Sequence, residues 1–223
     1  MVGGQEANTI MMTRRAAMSD EIEVTDGGIK RLEELGETTW AGRVWQRMGE
    51  TMPPTHLLYA AHDAALGHGL DPRLICALCE VESSWMPWAV RHESGYEWLF
   101  GRIEDDFPGI IKFKHSYPGS LSTEVQMQKT SWGLMQIMGA TARERGFRSW
   151  LTELCDPQVN LEWGCKHLRW MIDHNNAYGL PDFRIKPEGL AAAWNGGTLV
   201  VVNGKYANQD YVDRVVRAMV NYE

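Results

Sequence analysis

The sequence predicts a mostly α-helical fold with one small β-hairpin. Two Asp-Pro pairs, Asp71-Pro72 and Asp156-Pro157, combine an N-cap residue with a proline at the first helical position. Each pair precedes a stretch whose apolar residues recur at helical spacing. The turn pair Asn203-Gly204, between two short apolar runs, is typical of a tight hairpin. Together these signals predict a domain built mainly from helices.

The first three predicted helices cover about 55–68, 73–84 and 157–179. Thr55 is the expected cap of the first helix, and Gly179 is the expected end of the long third helix. Their inward positions are Leu57, Leu58, Ala61 and Ala65 in the first helix and Leu161, Cys165, Leu168 and Ile172 in the long one.

The C-terminal part of the chain predicts a helix, a hairpin and a last helix. The helix opens at Pro187-Glu188, includes Trp194 and stops at Gly196-Gly197. The hairpin spans 198–206. The last helix begins near Gln209 and buries Tyr211, Val215 and Met219.

Composition predicts one domain with an appendage. The chain has 223 residues, 44% hydrophobic and 23% charged, as in ordinary globular proteins. Residues 1–52 are polar, with a short amphipathic helix predicted only at Trp40–Met48, so we expect an appendage over 1–52 and a domain over 53–223. The net charge of −7 argues against a nucleic-acid partner. No apolar run of about 18 residues is present, so we expect no membrane span.

A carboxylate lies on the apolar stripe of the second helix. Ile75, Leu78, Cys79 and Glu82 follow the i, i+3, i+4, i+7 pattern, whereas Glu80 falls on another face, where we expect it to be solvated. Burial of a carboxyl group raises its pKa, and a general acid requires a raised pKa near neutral pH. The plainer alternative is that Glu82 pairs with an arginine or reaches water at the helix end.

The segment that starts at Glu82 resembles the first motif of the soluble lytic transglycosylase family. The match to this first motif covers Glu82–Val90. Gly133–Met138 matches the second motif, and Ala191–Gly197 matches the third. A weaker fourth match is Asp156-Pro157 with Asn160 and Gly164. The matches occur in the family's order over about 55–220. The resemblance implies a lysozyme-like α+β fold. Phage-encoded members look similar in their sequence at 131–136 and in having a long insertion between the first two motifs.

The resemblance implies cleavage of peptidoglycan glycan strands between N-acetylmuramic acid and N-acetylglucosamine. Glu82 would protonate the glycosidic oxygen while the sugar's N-acetyl group stabilises the cationic centre. Glu82 would then take the proton of the C6 hydroxyl as a 1,6-anhydro ring closes, so that no water is consumed. One carboxylate suffices, and no metal or other cofactor is implied. A water-using muramidase would need a second carboxylate, for which Glu93, Asp105 and Asp106 are candidates.

The resemblance also implies five substrate-binding positions, three of which have a plainer alternative. Gln136 can exchange hydrogen bonds with an N-acetyl group. Met138 is an adaptable apolar wall or an ordinary core residue. Asn195 holds the sugar or fixes its helix end, and Ser83 contacts substrate or bonds locally at the helix end. Trp194 is the fifth.

Three departures from the family pattern stand out. Trp194 occupies the position where the family usually has a tyrosine, and an indole donates hydrogen bonds but cannot accept them. Gly139 stands where a proline is common, a change that we expect to matter little. A long insertion, about 91–131, separates the first two motifs. We predict that it is a flap over the sugar cleft; the alternative is a surface insertion with its own small core.

The four cysteines, Cys76, Cys79, Cys155 and Cys165, favour buried free thiols. Cys79 and Cys165 lie on apolar stripes, which argues against a zinc site. A Cys155–Cys165 disulfide is the alternative outside the cytoplasm.

The expected function is that of a virion-borne peptidoglycan lytic transglycosylase. The substrate lies outside the cytoplasm, whereas we recognise no export signal, so we expect delivery in a phage particle and wall opening during genome entry. Residues 1–52 would dock the enzyme to other virion proteins. The alternatives are a muramidase used for host lysis and a non-catalytic, glycan-binding structural component of a virion.

Overall fold

The computed structural model describes residues 39–49, 52–103, 111–174, 186–196, 201–202 and 204–223. The chain divides between Met52 and Pro53 into two units. In the first unit, helix α1 covers Trp40–Met48, as predicted. The hydroxyl oxygen of Thr39 accepts a 3.1 Å hydrogen bond from the backbone N–H of Gly42 at its start.

The second unit begins with two helices that contribute much of its core. Helix α2 is Thr55–Gly67, and its four predicted inward residues are buried. Its N-cap position is Pro54 and not Thr55, which is already helical. Helix α3 is Pro72–Ser83, and the Asp71 carboxylate caps it by accepting from the N–H of Arg73 at 2.9 Å. The start signal of α3 is therefore confirmed.

The second half of the unit adds three longer helices: α6 at Pro157–Asp173, α7 at Pro187–Gly196 and α8 at Gln209–Met219. The carboxylate of Asp156 caps α6, and the predicted inner stripe of α6 is buried. Helix α6 ends at Asp173, earlier than predicted; the predicted stops Gly179 and Gly197 lie outside the described residues. Helix α8 packs on α3 and α7, and α2 packs on α3 and α6.

Short antiparallel strands complete the fold. Strands β1 (Val90–His92), β4 (Thr130–Trp132) and β5 (Ile137–Met138) form a sheet in the order β1-β4-β5. Strands β2 (Arg102–Ile103) and β3 (Lys112–Phe113) pair with each other. The predicted hairpin is present as β6 (Val201–Val202) and β7 (Lys205–Tyr206); the rest of its predicted extent, 198–200 and Asn203, is outside the described residues. The mostly helical, lysozyme-like fold class is confirmed.

The predicted insertion leaves and rejoins the domain at one β-ladder. Val90 pairs with Trp132 and His92 with Thr130, so its two ends lie side by side. Between these ends lie β2, β3 and helix α4 (Leu121–Gln128). Further short helical elements in the described part of the unit are α5 (Gly139–Glu144) and 3-10 turns at Leu151–Cys155 and Val220–Tyr222.

A buried ion pair fastens α4 of the insertion to α5. Both side chains are at most 2% exposed, and Arg143 donates to the two carboxylate oxygens of Glu124 at 2.7 and 2.8 Å. The remaining Arg143 amino group donates to the carbonyls of Phe147 and Ser149. Gln128 joins Glu124 to the backbone of Phe100. This part of the insertion therefore has a small buried core, and the flap stays a prediction.

Gly139 matters more than the sequence indicated. A Cβ at this position would collide with the carbonyl oxygen of Met127 and lie 3.0 Å from Cα of Gln128. The end of α4 can approach α5 this closely only because the residue is glycine. The expectation that this departure matters little is therefore wrong.

No helix in the described part of the chain is long and apolar enough to cross a membrane.

Candidate active site

Glu82 lies in the last turn of α3 and is half-buried. The hydroxyl of Tyr211, on α8, donates a 2.6 Å hydrogen bond to its Oε1 atom. Tyr211 itself is only 6% exposed. The packing of α8 on α3 thus places a buried phenol directly on the carboxyl group that the sequence singled out.

Burial raises the pKa of Glu82, and its neighbours oppose that rise. The hydrogen bond from Tyr211 lowers the pKa, and so do the charges of Arg91 and Arg214 and the hydrogen-bonding side chain of Trp194. The pKa of Tyr211 is itself raised by burial and by the Glu82 carboxylate, so this phenol stays protonated and remains a donor. A carboxyl group with a raised pKa and a fixed donor can both release and accept a proton.

The chain turns sharply after Glu82 and meets the second motif. Ser84 and Trp85 have φ angles of 50° and 62°, in the left-handed region. The hydroxyl of Ser83 lies 2.8 Å from the carbonyl oxygen of Leu134 and 3.0 Å from that of Cys79. Ser83 therefore makes the local helix-end contact of the plainer alternative and also ties α3 to the second motif. Contact with substrate stays a prediction.

The first four residues of the second motif, 133–136, form a tight turn held by Asn160. Gly133 has φ +69°, and a Cβ there would collide with the Asn160 side chain and the carbonyl oxygen of Leu154. Asn160 is fully buried; its Oδ1 accepts from the N–H of Met135 at 2.8 Å, and its Nδ2 donates to the carbonyl of Trp132 at 2.8 Å. Gly133 of the second motif therefore leaves the space that the side chain of Asn160, from the fourth motif, occupies.

Gln136 is engaged within the protein. Its Nε2 donates at 2.9 Å to the carbonyls of Ala89 and Gly133, and its Oε1 accepts from the hydroxyl of Ser131 at 3.0 Å. These contacts join the turn to β1 and β4. They fix the orientation of the side-chain amide. The backbone of Gln136 has a φ angle of 51°, which is a strained position. Its contact with an N-acetyl group stays a prediction.

The other predicted binding residues have different settings. Met138 is half-buried on β5. Trp194 is half-buried on α7, packs against the cluster around Trp132 and Phe147, and is near enough to Glu82 to lower the pKa of that carboxyl group. Asn195 is exposed, and its Oδ1 accepts from Nδ2 of Asn208, the residue before α8. This contact fixes the end of α7, as in one of its two predicted roles.

Glu80 is not the solvated residue that we expected. It is half-buried, and its Oε2 accepts from the hydroxyl of Tyr222 at 2.7 Å. The same hydroxyl accepts from the indole N–H of Trp85 at 3.0 Å. Glu80 is shielded from water because the 3-10 turn Val220–Tyr222 follows α8 and covers this face of α3. Each carboxylate at the end of α3 therefore has its own tyrosine.

The structure thus brings Trp194 and three residues that sequence reasoning missed to Glu82. The missed residues are Tyr211, Arg91 and Arg214. Tyr211 carries a usable signal, since it is a polar side chain on the apolar stripe of the last helix, as Glu82 is on α3. The arginines carry none, because surface arginines are common in any globular chain.

The candidates for a second carboxylate and the tryptophans near the motifs differ in their pairing and exposure. Glu93 is paired with Arg91 at 2.5 Å, while Asp105 and Asp106 lie outside the described residues. Of the tryptophans near the motifs, Trp85 and Trp132 are 7% exposed and belong to the core. Trp88 and Trp98 are 70% and 80% exposed and are available to a ligand.

The cysteines are free thiols. Cys76, Cys79 and Cys165 are buried and Cys155 is half-buried. Burial raises the pKa of the Cys76, Cys79 and Cys155 thiols, so these groups are poor nucleophiles. Within the residues that the structure describes, no group of three or more His, Cys, Asp or Glu side chains is arranged to hold a metal ion.

Comparison with known proteins identifies the family. The family model described as Transglycosylase SLT domain matches residues 60–214, more than half of the chain. No curated protein matches it. The matched range includes Glu82, the turn at 133–136, Trp194 and Tyr211. The match supports a lytic-transglycosylase type of activity directed at peptidoglycan. The chain belongs to the transglycosylase SLT domain family.

Proposed function

We propose that this protein is a peptidoglycan lytic transglycosylase in which Glu82 is the sole acid and base. It cleaves the bond between N-acetylmuramic acid and N-acetylglucosamine and leaves a 1,6-anhydro end. The observation that carries the proposal is the pairing of a half-buried Glu82 with the buried Tyr211 hydroxyl at 2.6 Å. The family match supports the class of reaction.

In the first step the protonated Glu82 donates its proton to the glycosidic oxygen. The bond between this oxygen and C1 of the muramic acid breaks, and the N-acetyl carbonyl of the same sugar stabilises the cationic C1. The raised pKa of Glu82 supplies a protonated carboxyl group near neutral pH. Tyr211 stabilises the carboxylate that this transfer creates, because its O–H donates to Oε1.

In the second step the C6 hydroxyl oxygen of the same sugar attacks C1. Its proton returns to Glu82, which restores the protonated carboxyl group, and the anhydro ring closes. Atoms balance without a water molecule. One carboxylate therefore performs both transfers, and the other nearby acids remain in ion pairs or hydrogen bonds of their own, as Glu93 and Glu80 do.

The setting of Trp194 supports catalysis over a purely structural, glycan-binding role. The indole N–H favours the same ionised form of Glu82 as a phenol donor would, and Tyr211 supplies a hydroxyl to the same carboxyl group. A chain that only bound glycan would have no need of a buried donor on a buried acid. The muramidase alternative requires a second carboxylate that positions water.

Product analysis tests the proposal. Purified peptidoglycan is digested with the full chain and with Glu82→Gln, and the soluble muropeptides are weighed. We expect products lighter than hydrolysis products by one water, and none from the variant. Hydrated reducing ends would replace the proposal by a muramidase. A folded protein that binds glycan without releasing products would replace it by a structural role.

We further propose that the protein is a phage virion component that opens the wall during genome entry. The support is the resemblance of 131–136 and of the long insertion to phage-encoded family members. Residues 1–52 would dock it to other virion proteins. Purified particles probed with an antibody to residues 53–223 should contain the protein, and particles made with a chain lacking 1–52 should not. Its absence from wild-type particles would favour release as a lysis enzyme.

A further inference from the structure

Two arginines flank the Glu82–Tyr211 pair. Arg214, one turn after Tyr211 on α8, places its guanidinium carbon 5.6 Å from the centre of the Tyr211 ring. Arg91 lies on β1, and its carbonyl accepts from the hydroxyl of Ser131, the same hydroxyl that donates to Gln136. Both positive charges are close enough to Glu82 to favour its ionised form. The two charges therefore act on the reacting carboxyl group from different elements, and Arg214 also lies beside the phenol that donates to it.

The charge of Arg214 is available to a ligand. The residue is exposed, and within the described part of the chain no carboxylate lies within ion-pair distance of it. The side chain of Arg91 is 70% exposed and forms an ion pair with Glu93 at 2.5 Å. Glu93 offsets much of the Arg91 charge, so Arg214 is the stronger candidate of the two.

The positive charges of Arg214 and Arg91 disfavour the protonated form of Glu82 that the reaction needs, unless the substrate neutralises these charges when it binds. Catalysis needs protonated Glu82, and nearby positive charge disfavours protonation. The chain as a whole is acidic, with 22 basic against 29 acidic side chains, so positive charge at this place is not an average property of the surface. An anionic group of the substrate would use both charges and neutralise them when it binds.

Peptidoglycan offers such a group beside the bond that is cut. Each muramic acid carries a lactyl group, and a peptide stem that ends in carboxylates extends from it. A guanidinium binds a carboxylate through two parallel N–H donors, which fixes its orientation. We propose that Arg214, assisted by Arg91, forms a subsite for a stem carboxylate and makes the enzyme prefer strands that carry ionised stems. This inference rests on the proposed glycan-strand cleavage.

The kinetic test compares one glycan preparation with and without stems. One sample of strands keeps its peptide stems, and an amidase removes the stems from a second sample. The value of kcat/KM on stem-bearing strands is divided by the value on stripped strands. For Arg214→Gln we expect this ratio to fall about three- to five-fold, mainly through KM on stem-bearing strands, as for an exposed ion pair. In the double variant Arg214→Gln with Arg91→Gln, this ratio should fall further. Arg217→Gln, an exposed arginine of the same helix, has the same charge change and should keep the wild-type ratio.

A binding test separates this inference from the proposed function. In the Glu82→Gln background, soluble oligosaccharides with stems should bind more tightly than stripped ones, and added salt or Arg214→Gln should remove the difference. A wild-type protein that shows no stem preference, or an Arg214→Gln variant that retains it in full, would overturn the subsite. If the wild-type chain binds with this preference but releases no anhydro product, the subsite stands and the proposed reaction fails.

Discussion

The Tyr211 hydroxyl donates a 2.6 Å hydrogen bond to Oε1 of Glu82, across 129 positions of sequence. A second pair repeats the arrangement two residues earlier on α3, where the Tyr222 hydroxyl donates to Glu80 at 2.7 Å. The C-terminal segment therefore supplies one phenol to each carboxylate at the end of α3. Only the first pair lies at the proposed reaction centre, so the two tyrosines form a natural comparison.

Tyr211→Phe should lower kcat about ten-fold, the value of roughly one charged hydrogen bond. The lost donor stabilises ionised Glu82, so its removal raises the pKa of Glu82 further. The general acid must be protonated, and activity falls as pH rises through that pKa. The falling limb of the pH–rate profile should therefore move to higher pH in this variant.

Tyr222→Phe is the matched control. It removes the same atom from a phenol that contacts Glu80 and the Trp85 indole. Urea unfolding should show lower stability, because a half-buried carboxylate and a buried indole lose their bonds, while the falling limb of the pH–rate profile stays in place. A shift of the limb in Tyr222→Phe, or none in Tyr211→Phe, would contradict the assignment of Tyr211 to Glu82.

His167 should make the fold lose stability in acid. Burial, with the nearby charge of Arg145, lowers its pKa to about 3 from 6.5, and its Nδ1 has no hydrogen-bond partner among the residues that the structure describes. Below pH 6.5 the unfolded chain binds a proton at His167 that the folded chain does not, so stability falls as pH drops from about 6.5 towards 3. The slope from this residue approaches about 1.4 kcal/mol per pH unit.

His167→Phe tests that slope. Phenylalanine keeps a ring beside Trp170 and Trp194 but cannot take up a proton. The difference in unfolding free energy between variant and wild type should grow in favour of the variant as pH falls below 6.5. A constant difference across this range would mean that His167 is protonated in the fold.

Arg143→Met should destabilise the protein by about 3–5 kcal/mol, because it leaves the buried Glu124 carboxylate without its partner. Replacing both residues, in Arg143→Met with Glu124→Leu, should recover most of that loss, since neither charge is then buried alone. Denaturant unfolding measures both. Arg169→Gln breaks an exposed pair with Asp173 and should cost less than about 1 kcal/mol. Equal losses at the two sites would show that the Glu124–Arg143 pair is not buried in solution.

Gly139→Ala should cost about 1–3 kcal/mol by overpacking α4 against α5. Gly67→Ala, at the end of α2, adds the same methyl group where nothing lies within 4 Å and should be close to neutral. Thermal unfolding compares the two. If both variants melt like the wild-type protein, the close approach of Met127 to Gly139 is not present in solution.

Local signals predicted the helices well because they act within a few residues. Asp71 and Asp156 cap their helices through their own carboxylates, which any reader of the sequence can anticipate. Glu82 could be singled out for a similar reason, since helical spacing alone places it on the apolar stripe with Leu78. The motif resemblance then gave its expected role.

Long-range contacts were the part that the sequence hid. Helical spacing predicts a solvated Glu80, because nothing local reveals that Tyr222 folds back on α3. The effect of Gly139 depends on the end of a helix in the insertion, and the pairing of Glu124 with Arg143 joins two elements without a shared pattern. The charge of Arg214 acts on Glu82 only because α8 packs on α3. Such contacts depend on packing, which spacing does not encode.

The most direct test of the central claim is digestion of peptidoglycan in water enriched in heavy oxygen, with the wild-type chain and with Glu82→Gln. If the C6 hydroxyl attacks C1, the new muramic ends should be anhydro ends, lighter by one water and free of heavy oxygen, and Glu82→Gln should yield none. Heavy oxygen at C1 of the new ends would show attack by water. Anhydro products from Glu82→Gln at the wild-type rate would show that Glu82 is not the acid and base.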